Sequence, residues 1–241
     1  MHLRQGDKKP FIDPTHHTLI GHRFCPYVQR VRYTLHYHGI KYDPIYVALD
    51  AKPSWFLELY PTGKVPVLIT DQGKVIGESI VIMKFLDSLC DPNTSLLERC
   101  GEAEFAKAGD YISKISAPIF KIMFHKDTSP SAVESLHEAC SELNTAFEGT
   151  YFSGSKLSLA DLLLLPHLDL LEPTLAYADS VEVAHVKEFD TSDPHYRLWP
   201  KLIDYMHTMR NLPFAMEIRN PVSVVARYWE SVHSGHPNPD F

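Results

Sequence analysis

A cysteine stands where a short strand gives way to a helix, and this junction constrains the fold of the 241-residue chain more than any other feature. Thr18-Leu19-Ile20-Gly21 is short, apolar and β-branched at its start, as a buried strand is. Beyond Cys25 the apolar residues recur at helical spacing and include Val28, Val31 and Leu35. Pro26 falls at the first helical position, where its missing N–H costs nothing, and Gly39 follows where a helix end favours glycine.

Cys25 is predicted to be the N-cap of this helix. There it adjoins backbone N–H groups that have no helical partner and the positive end of the helix dipole, and both favour the thiolate. Cysteines so placed have pKa values lowered from about 8.5 to between roughly 3.5 and 7.5. Val28 stands where a dithiol motif would have its second cysteine, so the site is monothiol and needs an external thiol to resolve a mixed disulfide. The alternative is that Cys25 is a small buried apolar residue.

The next segments predict a strand, a short helix, two strands and a further helix. Residues 41–47 are rich in strand-forming side chains and complete a parallel βαβ unit. The later segments are a short one after Pro53, strands at 64–70 and 74–77, and a helix at 79–89 capped by Ser79. Pro66 cannot donate a ladder hydrogen bond, so it is expected at a strand edge or in a special turn, for which a cis Val65–Pro66 bond is one solution.

The second half of the chain has a helical pattern throughout. A stripe typical of a bundle core recurs every three or four residues at Val133, Leu136, Cys140, Leu143 and Phe147. Ser158 and Asp161 then form a capping-box pattern before the apolar run 162–165, which predicts a central buried helix. Residues 198–209 and 222–233 are also predicted to be helical.

Between the halves, residues 90–95 form a polar linker with a proline. We therefore predict an α/β domain at 17–90 and an all-helical domain at 96–233. Residues 1–16 are expected to form an extended arm and 234–241 a loose tail.

Composition argues against several functions. A net charge of -7, with no cluster of Lys and Arg, argues against nucleic acid or an anionic membrane surface as the main partner. No stretch reaches the ~20 apolar residues of a membrane span, and no signal-peptide core is visible, so a cytoplasmic location without stable membrane insertion is expected. Four irregularly spaced cysteines indicate a reduced compartment. No metal is predicted, because the possible ligands lack paired spacing; these are His16, His17, His22 and Cys25.

Several motifs together resemble the omega class of the glutathione transferases. They are Phe24-Cys25-Pro26-Tyr27, Gln29-Arg30-Val31-Arg32, Lys52-Pro53-x-Trp55-Phe56, Pro61-x-Gly63-x-Val65-Pro66-Val67-Leu68 and Ile76-x-Glu78-Ser79. Tau and zeta transferases share the later motifs but ordinarily have serine in place of Cys25. The resemblance implies that the α/β domain is thioredoxin-like, that the helical domain follows it as in the cytosolic transferases, and that the protein forms a homodimer.

The same resemblance implies a glutathione site with Cys25 as the nucleophile. The implied glutathione-binding residues are Phe24, Tyr27, Lys52, Val65, Glu78 and Ser79. Val65 would pair with the cysteinyl amide, Glu78 and Ser79 would hold the γ-glutamyl end, and Lys52 would meet the glycine carboxylate. Taken singly, Ser79 could be only a cap and Lys52 only a surface residue.

The second substrate would be bound by the helical domain. The residues suggested for its pocket are Phe120, Phe124, His167, Tyr228 and Trp229, any of which could instead be core. His167 departs from the tryptophan that is typical of omega proteins at this point. Arg30 and Arg32 are expected to pair with surface carboxylates, and His36 and His38 to lie on the surface.

The function implied is glutathione-dependent thiol oxidoreduction, as a thioltransferase and dehydroascorbate reductase, with weak conjugating activity. A non-catalytic binding, structural or chloride-channel-like protein of the same fold is the alternative. Arg30, Arg32, His36 and His38 on the first helix argue against its insertion into a membrane. A glutaredoxin would lack the helical domain.

Overall fold

The computed structural model describes all 241 residues. They form two compact units, of which the first comprises Met1–Thr94 together with Asn238–Phe241 and the second comprises Ser95–Pro237. No helix combines the length and the apolar character that crossing a bilayer requires.

The first unit is built on a four-stranded sheet with the strand order β2-β1-β3-β4. The strands are β1 (His17–Gly21), β2 (Tyr42–Tyr46), β3 (Val67–Ile69) and β4 (Val75–Gly77). β1 pairs with β2 in parallel and with β3 antiparallel, and β3 pairs antiparallel with β4. The predicted order of elements is confirmed. β3 is shorter than predicted because it begins only after the cis Val65–Pro66 bond, where the proline has no N–H to donate.

Three helices accompany the sheet: α1 (Pro26–Tyr37), α2 (Ser54–Leu59) and α3 (Ser79–Ser88). The prediction that α1 begins directly after Cys25 is confirmed, and Gly39 beyond its end has a φ of +64°, which glycine adopts without strain. α1 and α3 pack against each other. His38 is not the surface residue that was expected, because its Nε2 lies 2.8 Å from Oδ1 of the buried Asp87 on α3.

A buried apolar cluster fixes the sheet against α2. Its fully or nearly fully buried members are Ile20, Ile45, Val47, Trp55, Phe56, Val67 and Ile69, with Val65 packed at its margin. Burial of apolar area is the main favourable term in folding, so this cluster stabilises the sheet, in which β1 precedes Cys25 and β3 follows Val65.

The second unit consists of helices. They are α4 (Leu96–His125), α5 (Pro130–Ala146), α6 (Leu159–Leu168), α7 (Leu171–Ala178), α8 (Pro200–Arg210), α9 (Pro213–Ile218) and α10 (Val222–His233). Gly101, with a φ of +75°, interrupts the helical geometry near the start of α4. The helices predicted at 198–209 and 222–233 correspond to α8 and α10.

The central helix α6 is buried along its whole length. The predicted capping box is confirmed: the backbone N–H of Ser158 donates to Asp161 Oδ2 at 2.8 Å, and its hydroxyl donates to the same oxygen at 2.9 Å. Asp161 Oδ1 also accepts from the backbone N–H of Phe152 at 2.8 Å. These bonds satisfy donors that a buried helix start would otherwise leave unpaired.

Both ends of the chain contribute contacts to the first unit. Leu3 forms a parallel bridge with Val47, in which the Leu3 N–H donates to the Tyr46 carbonyl at 2.8 Å. At the other end, the Asp240 carboxylate lies 2.7 Å from the His2 ring. Neither contact could be inferred from the polar composition of these segments, because each partner is distant in sequence.

Candidate functional site

Cys25 lies at the start of α1 with extended backbone geometry, at φ -82° and ψ 120°. Its carbonyl oxygen accepts from the N–H groups of Val28 at 3.1 Å and Gln29 at 3.0 Å, which begin the helix. Its own N–H donates to the His22 carbonyl at 3.1 Å. The thiol is therefore carried by a residue fixed on both sides, by a turn before it and by a helix after it.

Burial raises the pKa of the Cys25 thiol above its ordinary value. The backbone N–H groups of Val28 and Tyr27 and the positive charge of Arg30 lower the same pKa, but they do not outweigh burial. The N-cap donors that the sequence predicts are thus present, whereas the predicted net lowering of the pKa is not. Desolvation disfavours the charged thiolate, and its extent cannot be read from one segment of sequence.

Arg30 belongs to this site and not to the surface, which corrects the expectation from sequence. Its side chain is buried, with the guanidinium carbon 4.9 Å from the centre of the Tyr27 ring. Nη1 donates to Ser79 Oγ at 3.3 Å. Burial lowers the pKa of Arg30 to about 10, so the group is still a cation at neutral pH. The three-residue spacing places Arg30 on the face of α1 that carries Tyr27, but it does not indicate that the guanidinium is buried.

Ser79 and Glu78 stand at the start of α3. Ser79 is buried and is the first residue of the helix. Glu78 precedes it with a φ of +62°, a backbone region that non-glycine residues rarely adopt, and its exposed carboxylate lies 4.0 Å from Lys64 Nζ. Free N–H groups in the first turn of a helix bind carboxylates, so this corner offers a donor set for one carboxylate beside an acceptor for an amine.

Val65 and Lys52 lie on the neighbouring segments of the first unit. Val65 is partly buried and stands before β3, at the cis bond to Pro66. Lys52 is partly buried and its ammonium lies beside Gly63, where an added Cβ would be 3.5 Å from Nζ. Phe24 is buried next to Cys25, whereas Tyr27 is exposed.

Together these residues fit a peptide thiol that carries two carboxylates and an amine. The first unit presents a free thiol at Cys25, a partly buried backbone segment at Val65, and a helix start with an acid at Glu78. An ammonium is available at Lys52 for the second carboxylate. Glutathione has this set of groups.

The residues suggested for the second-substrate pocket fall into two sets. Four of them form a cluster of aromatic rings: Phe120 stacks on Phe124 at 4.6 Å, Phe124 meets Trp229 edge-on at 4.7 Å, and Tyr228 lies 5.7 Å from Trp229. Trp229 also lines a cavity of ≈ 280 Å³ within the helical unit. His167 is buried in α6, at 2 % exposure.

The other cysteines differ from Cys25 in their surroundings. All four are free thiols. Burial raises the pKa of Cys90, of Cys100 and of Cys140, the last to about 12. Cys25 is the one of the four beside a cation: the charge of Arg30 counteracts part of the rise in thiol pKa that burial causes.

Comparisons with known proteins agree with this geometry. The family model "Glutathione S-transferase, N-terminal domain" matches residues 24–89. The rat protein "Glutathione S-transferase omega-1" is 29% identical over 203 residues, or 80% of this chain and 76% of the rat protein. "Glutathione S-transferase DHAR2" of Arabidopsis thaliana is 33% identical over 153 residues, or 64% of this chain and 70% of the plant protein.

The crystal structure of glutathione transferase Omega 1C from Trametes versicolor matches with a TM-score of 0.70 at 19% identity, covering 92% of this chain and 98% of the fungal one. Fold and site together thus define a two-domain thiol protein with a thioredoxin-like first domain. The chain belongs to the glutathione S-transferase family of enzymes. Its similarity to proteins named for the omega class and for DHAR confirms the kinship predicted from the sequence.

Proposed function

We propose that the protein is a glutathione-dependent thiol oxidoreductase of the omega type, acting as a thioltransferase and as a dehydroascorbate reductase through Cys25. The observation that carries the proposal is a single thiol at a helix N-cap, beside the buried cation Arg30 and without a second cysteine at position 28. A monothiol of this kind exchanges with a mixed disulfide and relies on a second glutathione for its release.

The reaction needs two displacements at sulfur. The Cys25 thiolate attacks the glutathione sulfur of a mixed disulfide, the S–S bond breaks, and the other thiol leaves as a thiolate. With dehydroascorbate, glutathione first adds to a carbonyl carbon of the substrate. Cys25 then attacks the glutathione sulfur of this adduct, and the C–S bond electrons leave with the reduced substrate.

In both cases Cys25 is left as a mixed disulfide with glutathione. A second glutathione thiolate attacks the glutathione sulfur of that disulfide, which forms oxidised glutathione and returns the Cys25 thiolate. The leaving group in this step is the Cys25 thiolate, which the positive charge of Arg30 stabilises.

Glutathione is held by the first unit in this proposal. Val65 pairs with the cysteinyl backbone, Ser79 and the start of α3 accept the γ-glutamyl carboxylate, and Glu78 accepts the amine. Lys52 binds the glycine carboxylate, and Phe24 and Tyr27 flank the thiol. The aromatic cluster of the helical unit is proposed to bind the second substrate, and His167 to influence that pocket from within α6.

Conjugation of glutathione to electrophiles is expected to be weak. It requires a hydroxyl that donates a hydrogen bond to the glutathione thiolate, whereas a cysteine at this position competes for the same place. A cytoplasmic location and a homodimer are also proposed, in line with the soluble-transferase family.

The test is reduction of a glutathione mixed disulfide and of dehydroascorbate by the wild-type protein and by Cys25→Ala, with glutathione as the donor. Cys90→Ala is the matched control, because Cys90 is a partly exposed free thiol outside the site. Loss of both activities in Cys25→Ala alone is expected. Unchanged reduction by Cys25→Ala would overturn the mechanism, and an inactive wild-type protein that still binds glutathione would favour the non-catalytic alternative.

A further inference from the structure

The turn that precedes Cys25 is attached to the first residues of the chain. The His2 side chain is buried, and its Nε2 accepts the backbone N–H of Arg23 at 3.1 Å. Within the same turn, the Phe24 N–H donates to His22 Nδ1 at 3.3 Å and the Cys25 N–H donates to the His22 carbonyl at 3.1 Å. The contact from His2 therefore falls on the short segment that sets the backbone of the nucleophile.

The last residues of the chain hold His2 in turn. Asp240 Oδ1 lies 2.7 Å from His2 Nδ1, and Oδ2 accepts the His2 backbone N–H at 3.0 Å. Arg23 Nη1 donates to the Phe241 carbonyl at 3.0 Å, and the Phe241 ring lies 6.3 Å from that of Phe24. All of these contacts lie within the first unit.

Both contacts of the His2 ring are possible in a single protonation state. Nδ1 must carry a proton to donate to Asp240, and Nε2 must carry a lone pair to accept from Arg23, which describes one neutral tautomer. Burial lowers the pKa of His2, against the Asp240 hydrogen bond, which raises it. The other charged or titratable groups that face the ring are His22, Tyr46, Arg23 and the Met1 ammonium. A carboxylate that fixes a histidine tautomer is a common means of orienting the second ring nitrogen.

We propose that His2 is a positioning residue for the nucleophile: through Nε2 it anchors the turn from His22 to Cys25, and Asp240 holds it in the tautomer that does so. The two ends of the chain thereby control the reactivity of the Cys25 thiol. The inference rests on the proposed function of Cys25. It assigns no contact between His2 and a substrate.

Two substitutions separate the contacts of His2. In His2→Gln the Oε1 atom can still accept from Arg23, but the donor to Asp240 is lost. In His2→Asn the amide can still donate to Asp240, but no acceptor reaches Arg23. The full-length protein is used, and melting temperatures of the two variants show whether they are equally folded.

The first readout is the rate of Cys25 alkylation by iodoacetamide as a function of pH, taken as the difference from Cys25→Ala. Alkylation needs neither glutathione nor turnover, so this readout tests the role of His2 even if the protein does not catalyse the proposed reaction. The second readout is kcat and KM for reduction of a glutathione mixed disulfide.

Small displacements of reacting groups reduce rates by up to about 100-fold. We expect His2→Asn to lower the alkylation rate at neutral pH and kcat by about 10-fold or more, with KM for glutathione little changed, and His2→Gln to remain near wild type. An unchanged alkylation profile in His2→Asn would overturn the proposal. Equal losses in both variants would overturn it too, because His2→Gln retains the acceptor.

Discussion

Arg30 on α1 donates a hydrogen bond from Nη1 to Ser79 Oγ at 3.3 Å, across 49 positions of sequence. One buried cation thus stands between the helix start that carries Cys25 and the helix start proposed to receive the γ-glutamyl carboxylate. Its charge lowers the pKa of Cys25 against burial, so one side chain acts on the thiol and bonds to the serine proposed to bind glutathione.

The first prediction concerns this charge. Replacing Arg30 by Met keeps an apolar stem of similar length and removes the cation. We expect the pKa of Cys25 to rise further, because the positive charge that favours the thiolate against burial is lost. The absorbance of the thiolate near 240 nm, followed against pH as the difference from Cys25→Ala, measures it.

Two further variants serve as controls for that experiment. Arg30→Lys retains a positive charge but not the planar donor set, so the pKa of Cys25 should rise less in this variant than in Arg30→Met. Arg32 lies on the same helix, and its Nη1 donates to Gln29 Oε1 at 2.8 Å. Arg32→Met also removes a cation, but it should leave the pKa of Cys25 unchanged. Equal pKa values in Arg30→Met and the wild type would contradict the assigned role.

Structural features that depend only on neighbouring residues could be predicted from the sequence. The cap at Cys25, the positive-φ glycine after α1 and the capping box of Ser158 and Asp161 all follow from spacing within one turn of helix. The order of strands and helices in the first unit follows in the same way, because each segment shows its own period.

Features that depend on distant partners could not be predicted. The Arg30–Ser79 bond joins residues 49 positions apart, and the Asp240–His2 bond joins residues 238 positions apart. The pKa of Cys25 belongs to the same class, since the burial that raises it comes from the assembled first unit. A helical pattern alone assigns charged side chains to solvent, so it predicts exposed positions for Arg30 and His38, both of which have partners on α3.

The second prediction concerns the strained backbone of Glu78. A non-glycine residue at a φ of +62° costs on the order of 1–3 kcal/mol and persists where function requires its side chain. Glu78→Gly should raise the melting temperature by a few degrees, since about 1 kcal/mol corresponds to about 2–4 °C in a chain of this size. It should also raise KM for glutathione, because the carboxylate proposed to accept the glutathione amine is lost.

Glu78→Gln separates these two effects. It retains the strained backbone and removes only the charge, so KM should rise while the melting temperature stays near that of the wild type. Calorimetry and steady-state kinetics on the three proteins provide the comparison. If Glu78→Gly melts at or below the wild-type temperature, the positive φ of Glu78 does not destabilise the folded protein.

The third prediction concerns pH and the buried His22. Burial lowers the pKa of this ring to about 3, from an ordinary value of 6.5. Between these values the unfolded chain binds a proton that the folded protein does not, so stability is lost as the pH falls below 6.5. The loss is about 1.4 kcal/mol per pH unit, or about 2 kcal/mol at pH 5. Urea unfolding at pH 7 and pH 5 measures it.

His22→Asn provides the comparison, because Asn can place an acceptor oxygen where Nδ1 receives the Phe24 N–H and does not titrate. The wild type should lose about 2 kcal/mol more than this variant between pH 7 and pH 5, since other groups titrate equally in both. If both proteins lose the same free energy of unfolding between pH 7 and pH 5, His22 can be protonated in the folded protein and the prediction is wrong.

The last prediction concerns a buried ion cluster in the helical unit. The Arg210 guanidinium, 2 % exposed, donates to Glu172 Oε1 at 2.6 Å and Oε2 at 3.0 Å, and to Asp169 Oδ1 at 2.8 Å. Arg210→Met would leave the buried Glu172 carboxylate and the partly buried Asp169 carboxylate without this cation, which costs about 3–5 kcal/mol. Arg197→Met is the matched control, since Arg197 is exposed and its replacement should change stability by no more than about 0.5 kcal/mol.

The pH dependence of this loss tests its cause. Burial already raises the pKa of Asp169, and Arg210 counteracts that rise. Without Arg210 the pKa of Asp169 should rise further, so the penalty applies at neutral pH and diminishes as acid protonates this carboxylate. Urea unfolding should therefore show a larger difference between Arg210→Met and the wild type at pH 7 than at pH 5. A difference of the same size at both values would indicate lost packing of the arginine stem instead of uncompensated charge.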